Sequence, residues 1–483
     1  MKTKKLLLNA FSLMALFLLS TTGFSQVGIG TLMPNESAML DVVSTTKGML
    51  TPRMTSVERL AIANPVNGLL VYDTSENAFY FYKGSTWTKL DSSVRNNYKL
   101  VKSAADLSSE LAAGGGSTYL LNSNTLYEIN GTITLTAPIN LNSAYISGLD
   151  ANEDVLLYAG GTVFKGSTGG SVRNLTLKGT KAFEITGPGI TSTASLLVQN
   201  TIIDGMTNVG SIDGLGLFFG NIIQFLNNAN GITYSNIGNL LLNNQGWFGN
   251  NSGTFEKFTG TFGLIEKVSG FSTVSGSAVA LDVSTTGLAV GTGVLQATVF
   301  TGTTSAPSGY VKGYAPAQTY LGYNFSNVWT VSASGIPRES DDVATGNLYY
   351  GSSNVVNITN TTAFKLPVNT NSIRLFRTAE GAGVNSENRL IYKGESRRAI
   401  NVLGALSFTA TGGSRYAFSV FKNGTKVVGS EVEADVLQTN ARQSVSIIAT
   451  VDVVKNDYIE IYVQKLTGGN EQFLTTTYNL IVN

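Results

Sequence analysis

Between residues 96 and 331 short apolar triplets recur, each closed by Asn, Gly or Asp. They are Ile133-Thr134-Leu135, Tyr145-Ile146-Ser147-Gly148, Leu175-Thr176-Leu177, Leu196-Leu197-Val198, Thr201-Ile202-Ile203-Asp204-Gly205, Gly220-Asn221-Ile222-Ile223 and Leu240-Leu241-Leu242-Asn243-Asn244. Many successive members lie about 20 to 25 residues apart, the length of one coil of a parallel β-solenoid. In such a coil alternate residues point inward and stack on the coil below, while Asn and Gly take the bends. The competing architecture, a β-sandwich, places strands every ~8–12 residues with hairpin turns, and hairpin signals are scarce here. The run Leu107 to Ala113 with Gly114-Gly115-Gly116 reads as a short helix and turn suited to covering the first coil, because an open solenoid end recruits other strands.

Composition agrees with strands and turns. The chain has 483 residues, enough for two or three domains, with 53 glycines, 9 prolines and 42% hydrophobic residues. That apolar share can bury a core, unlike the makeup of a disordered chain. Charged residues are only 13%, and 32 basic against 31 acidic side chains give no electrostatic reason to expect nucleic acid as a partner. There is no cysteine and no histidine. Disulfides, thiolate chemistry, a Ser–His–Asp triad and the commonest metal ligand are therefore excluded, and no cofactor is expected.

At the N-terminus, Lys2, Lys4 and Lys5 precede an apolar stretch from Leu6 to Leu19, followed by Gly23-Phe24-Ser25. This is the layout of a secretory signal peptide over 1–25, with cleavage expected before Gln26. The stretch falls short of the ~20 residues that cross a bilayer, and no later segment is apolar enough, so no transmembrane segment is expected. The expected location is secreted or cell-surface.

Residues 26–92 carry Val27-Gly28-Ile29-Gly30-Thr31, Pro34, Leu40-Asp41-Val42, Lys47-Gly48, Pro52-Arg53-Met54-Thr55, Arg59, Ile62, Pro65, Gly68-Leu69, Val71-Tyr72, Tyr82-Lys83-Gly84 and Trp87. In this order they resemble a module that opens many secreted or surface proteins of Bacteroidetes-type bacteria. The resemblance implies export and no chemistry. Physically the segment reads as a short helix, Ser56 to Ala63, and a hairpin of Leu69–Tyr72 with Ala78–Tyr82. The rings of Phe79 to Tyr82 and Trp87 are expected to pack on one face and to meet another subunit on the other; a carbohydrate platform is the lesser reading.

The coil pattern of 96–331 resembles the pectate-lyase-like right-handed β-helix superfamily, which includes polysaccharide lyases, glycosidases, tailspikes and bacterial surface proteins. Residues 332–360, with Ile336-Pro337-Arg338-Glu339 and Tyr349-Tyr350, are expected to be a connector. Residues 361–483 change period: Tyr416, Phe418 and Val420 alternate before the Asn423-Gly424 hairpin signal, and Val445 to Val453, Tyr458 to Val463 and Tyr478 to Val482 alternate again. Tyr416-Ala417-Phe418, Lys422-Asn423-Gly424-Thr425 and Asp457-Tyr458-Ile459-Glu460 resemble C1q/TNF-like jelly rolls, which implies a homotrimer. The expected fold is all-β: a right-handed parallel β-helix, then an antiparallel jelly-roll β-sandwich, with a small N-terminal β-hairpin module.

Catalysis on a β-helix would need two carboxylates facing each other across a groove. The acids on the solenoid and just beyond it are Asp150, Glu153, Asp154, Asp204, Asp213, Asp282, Glu339, Asp341 and Asp342. Asp204 and Asp213 are the pair that could share a face, although Ile-Asp-Gly contexts are also ordinary turn chemistry. Glu339, Asp341 and Asp342 are the candidate cation ligands, short of the six to eight oxygens that calcium takes. Arg173 is the only arginine of the coil region, and Arg397-Arg398 could meet an acidic glycan or simply face solvent. The expected function is a non-enzymatic, adhesin-like fibre with a glycan or another surface molecule as partner. The alternatives are a carbohydrate-active β-helix enzyme and a prophage-derived receptor-binding fibre.

Overall fold

The bends of the coil region fix its geometry. In the computed structural model, which describes residues 2–18, 26–90, 96–382, 387–467 and 470–483, the chain turns from one strand to the next at Asn174, Asn200, Ile222, Asn244, Ser269 and Ala297. All six have positive φ, between 47° and 64°. Asparagine tolerates this left-handed backbone better than other residues with a side chain. Because the bend recurs at the same place in each coil, successive strands stack in parallel register, as in 195–199 on 217–221 on 239–243.

The result is a three-faced parallel solenoid of about eight turns. A first face runs from Tyr98–Val101 through 126–129, 145–147, 170–173, 195–199, 217–221, 239–243 and 264–268 to 293–296 and Trp329–Ser334. The second holds 132–134, 155–158, 176–178, 201–204, 223–226, 245–247 and 271–272. The third holds 119–120, 139–140, 162–166, 181–186, 208–213, 232–235, 254–257 and 279–282. Alternate residues line the bore: Leu196, Val198, Phe218, Leu240, Leu242 and Ile265 are at most 1% exposed. The 3₁₀ turn Ala104–Leu107 and helix Ser108–Ala113 cover the first coil, with Leu107 in the core.

Beyond the last coil the strands become antiparallel. One sheet orders Asn369–Phe376, Thr345–Ser352, Glu471–Val482, Arg398–Ala410 and Gln443–Val453. The other orders Thr378–Glu380, Arg389–Tyr392, Tyr458–Lys465, Arg415–Lys422 and Thr425–Lys426. Phe408, Phe418 and Phe473 pack between them, and Asn423 and Gly424 make the hairpin turn, both at positive φ. The connector expected over 332–360 needs correcting. Trp329–Ser334 is the last solenoid strand, and Thr345–Ser352 and Val356–Ile358 already pair with the C-terminal strand of the sandwich. Strand 345–352 buries only Gly346 and Leu348, too little apolar alternation to read as a strand beforehand.

Residues 1–96 form a separate compact unit. It holds a helix over Lys2–Leu18, a parallel pair Val27–Ile29 with Leu40–Val42, a helix Ser56–Leu60 capped by Thr55 and Glu58, and the meander Leu70–Asp73, Ala78–Lys83, Thr86–Lys89. The expected cleavage signal Gly23-Phe24-Ser25 lies outside the described residues. Among the described residues no helix is long and apolar enough to cross a membrane.

Candidate interaction surfaces

Asp204 sits at the bend between second and third faces. It pairs with Lys178 of the coil below at 2.9 Å and accepts from Asn227 of the coil above at 2.8 Å, and Asn227 in turn accepts from Asn250. Burial alone would raise its pKa; Asn227 and Lys178 outweigh that and hold the carboxyl below the usual range. Asp213 lies at the other end of the strand Asn208–Asp213 and accepts from Asn236 at 2.9 Å, whose own carbonyl accepts from Thr261 N. Each carboxylate thus begins a separate polar ladder, on a different corner of the coil; they are not brought together as a facing pair.

Three further solenoid acids are likewise engaged. Asp154 accepts from the Gly131, Leu149 and Asp150 amides, Asp150 from Asn152, and Asp282 from Ser284 while facing Lys312 at 3.7 Å. Arg173 lies across Ser171, and Arg397 pairs with Asp452.

The proposed cation ligands diverge. Glu339 turns into the end of the solenoid, 1% exposed, and accepts from Asn324 N at 2.7 Å and Phe325 N at 2.8 Å. Burial drives its pKa up to about 7 against those two amides and Arg377. Asp341 takes Arg377 at 2.8 Å and the Glu395 and Ser396 amides, whereas Asp342 pairs with Arg338 at the surface. No cluster of three metal-ligating side chains exists among the described residues. Consecutive spacing suggested a site; the turn closed by Val343 N on Ser340 O takes the three apart.

What these residues build is a joint. Arg377, 1% exposed on the sandwich, donates to Asn327 O and Trp329 O of the solenoid, both at 2.6 Å, to Glu339 O at 3.3 Å, and to Asp341. Tyr323 stacks on Phe376 at 4.1 Å beside it. A hollow of about 540 Å³ opens there, lined by Tyr323, Pro337, Asn347 and Arg374. A second groove, about 380 Å³, lies on the first face between Tyr145, Leu197, Pro188 and a set of serines. Neither is lined by a carboxylate side chain. Nothing in the sequence pointed to Arg377, since a lone arginine between strands has no pattern to betray it.

The N-terminal unit leaves many of its apolar side chains exposed. Among its described residues only Arg59, Val71, Asp73 and Ala78 are buried. Arg59 lies 3.8 Å over the Tyr80 ring and 2.8 Å from Asp73. Burial alone would raise the Asp73 pKa, but Arg59, Ser56 and the Glu76 and Ser75 amides hold it at about 2. Leu32, Met33, Leu50, Val57, Leu60 and Val66 are all at least 68% exposed. So large an apolar share on so small a unit marks an interaction surface.

Residues 28–105 match the protein family described as a phage tail like trimerisation region. No curated protein matches the chain in sequence. Among solved structures, the chain is similar to tailspike protein 4 of bacteriophage CBA120, in its enzymatically active domain, at 9% identity, covering 90% of this chain and 77% of that one with a TM-score of 0.26. It is also similar to the Eiger TNF of S. frugiperda at 8% identity, over 29% of this chain and 91% of that one, with a TM-score of 0.22.

Proposed function

We propose that this protein is an exported trimeric fibre. The N-terminal unit gathers three copies, the solenoid is the shaft and the antiparallel sandwich is the head that meets a glycan or another surface molecule. The observation that carries this reading is the N-terminal unit itself. It buries two apolar side chains, Val71 and Ala78, while Leu32, Met33, Leu50, Val57, Leu60 and Val66 face outward. A fold of that size without a core needs a partner, and its similarity to a trimerisation region names the kind. The mode of action is contact rather than bond-breaking. In support, Asp204, Asp213, Asp154 and Asp282 each serve as acceptors within the fold instead of facing another acid across a groove.

Light scattering on the chain from Gln26 onward tests the assembly: three chains per particle are expected, and Leu50→Glu with Leu60→Glu should release single chains. A one-chain mass of the parent at micromolar concentration would overturn the reading. New reducing ends or unsaturated products from a polysaccharide panel would overturn the contact mode while leaving the fibre intact.

A further inference from the structure

The three faces of the shaft differ in what they show the outside. On the third face the stacked row is polar and mostly charged, Lys165, Glu184, Ser211, Thr233, Lys257, Asp282 and Lys312, with Lys165 and Lys181 paired to Glu184, Lys312 to Asp282, and Lys257 exposed. The first face carries instead a row of side chains stacked coil on coil: Tyr98, Leu126, Tyr145, Ser171, Leu197, Phe219 and Leu241, of which Tyr145 is exposed, Ser171 is buried in the groove beside it and the other five are partly exposed. None of these is charged, and the next member is Glu266, where the apolar run ends. A second row beside it is mostly polar, with Glu128, Ser147, Arg173, Gln199, Asn221 and Asn243. An apolar centre with a polar margin is the anatomy of a protein interface.

We infer that this row is the seam along which the shafts of three copies of this chain pack, rung against the same rung, around a shared axis. The inference rests on the trimer proposed above and locates its shaft contact. Two observations select a copy of the chain as the occupant. First, the stretch similar to a trimerisation region, 28–105, runs past the N-terminal unit and takes in Tyr98, the row's first member. Second, copies related by an axis along the shaft present the same residue at the same height. Leucine against leucine is compatible, whereas Lys257 against Lys257 on the third face sets like charges together. The size is adequate. Six coil steps at ~4.8 Å give about 29 Å, and with a strand ~17 Å long each copy offers about 500 Å², or about 1,500 Å² over the three copies, within the range of specific interfaces.

The chain contains no cysteine, so single cysteines report position cleanly. Tyr145→Cys, Leu197→Cys and Leu241→Cys on the first face, and Ser211→Cys and Lys257→Cys on the third, are treated with a short bis-maleimide and run on denaturing gels. Up to two thirds of the chains should appear as covalent dimers for the first-face variants, and at least tenfold less for the third-face ones. A three-chain particle in which Leu197→Cys takes up a monofunctional maleimide freely and does not cross-link overturns the seam and leaves the trimer standing. Cross-linking at Lys257→Cys but not at Leu197→Cys also overturns it. A one-chain mass of the parent overturns the trimer itself and the seam with it.

Discussion

Inside the bore, on the third-face and first-face parts of the one strand Thr254–Val268, Lys267 Nζ lies 3.1 Å from the Glu256 carboxylate, the side chains 2% and 0% exposed. Lys267 also sits 5.0 Å over the Phe255 ring, on which Trp247 stacks at 4.5 Å. At an effective dielectric of ~20, two charges at that separation attract by about 5 kcal/mol. Removing the cation forfeits that attraction and strands a carboxylate, so Lys267→Met should cost about 3–5 kcal/mol. Removing both charges is a different matter, since neither ion then needs to leave water. Glu256→Leu with Lys267→Met should come within about 1 kcal/mol of the parent or exceed it.

The single variant should also become pH-dependent. Burial already raises the Glu256 pKa, partly offset by Lys267, and without Lys267 it rises further. Between the unfolded and folded values the native state holds the proton that the unfolded chain has released. Stability of K267M therefore falls as pH rises, by up to ~1.4 kcal/mol per unit, and its deficit is smaller at pH 5 than at pH 8. Urea unfolding followed by Trp247 fluorescence measures all three. If the double variant is as damaged as K267M, the bore requires the pair for shape rather than for charge balance, and the reasoning is wrong.

Three further outcomes follow from the same structure. Ile222 is a β-branched residue at φ 54°, at a bend whose neighbours above and below are Asn244 and Asn200; Ile222→Asn should stabilise by about 1–2 kcal/mol, read as a higher urea midpoint. Glu339 is raised from 4.5 to about 7, so its contribution is fully present below pH 4.5 and is lost as pH climbs through 7, about 3 kcal/mol in all; the difference between parent and Glu339→Gln in urea midpoint should change across that window and be flat outside it. Arg377→Met leaves three carbonyls and Asp341 without their donor and should loosen the head by about 3–5 kcal/mol, seen as earlier Trp329 exposure and faster proteolytic cutting within 335–344.

The solenoid was legible because its signal is repeated. One apolar triplet says little, but a series spaced by a coil length requires stacking, and asparagine, which takes three of the six bends named above, is the residue with a side chain that the left-handed bend tolerates best. The sandwich was legible where both faces of a strand differ, as in Val445–Val453, and illegible in Thr345–Ser352, where glycine and asparagine replace the alternation. The acids were misleading for a physical reason. The chain turns over residues 340–343, so Glu339 goes inward and Asp342 to solvent although they are near neighbours in sequence, while partners such as Lys178 and Asn227 stand a coil away in the chain. The Arg377 joint was invisible because its acceptors are main-chain carbonyls, which no sequence pattern marks.

That geometry also explains why the aspartates stand where they do. An asparagine in a corner ladder donates to the rung below and accepts from the rung above, so it continues a series. An aspartate only accepts, and a position with donors on both sides suits it alone: Asp204 receives Lys178 from below and Asn227 from above. Asp204→Asn should therefore turn one of its amide hydrogens toward the Lys178 ammonium and weaken that corner, whereas Asn227→Asp should set two carboxylates against each other on adjacent coils. The sign of charge along the corner is thus dictated by stacking. Surfaces free of that constraint are the outward rows between corners, and on the first face such a row runs uncharged over seven coils, apolar or aromatic at every rung but Ser171.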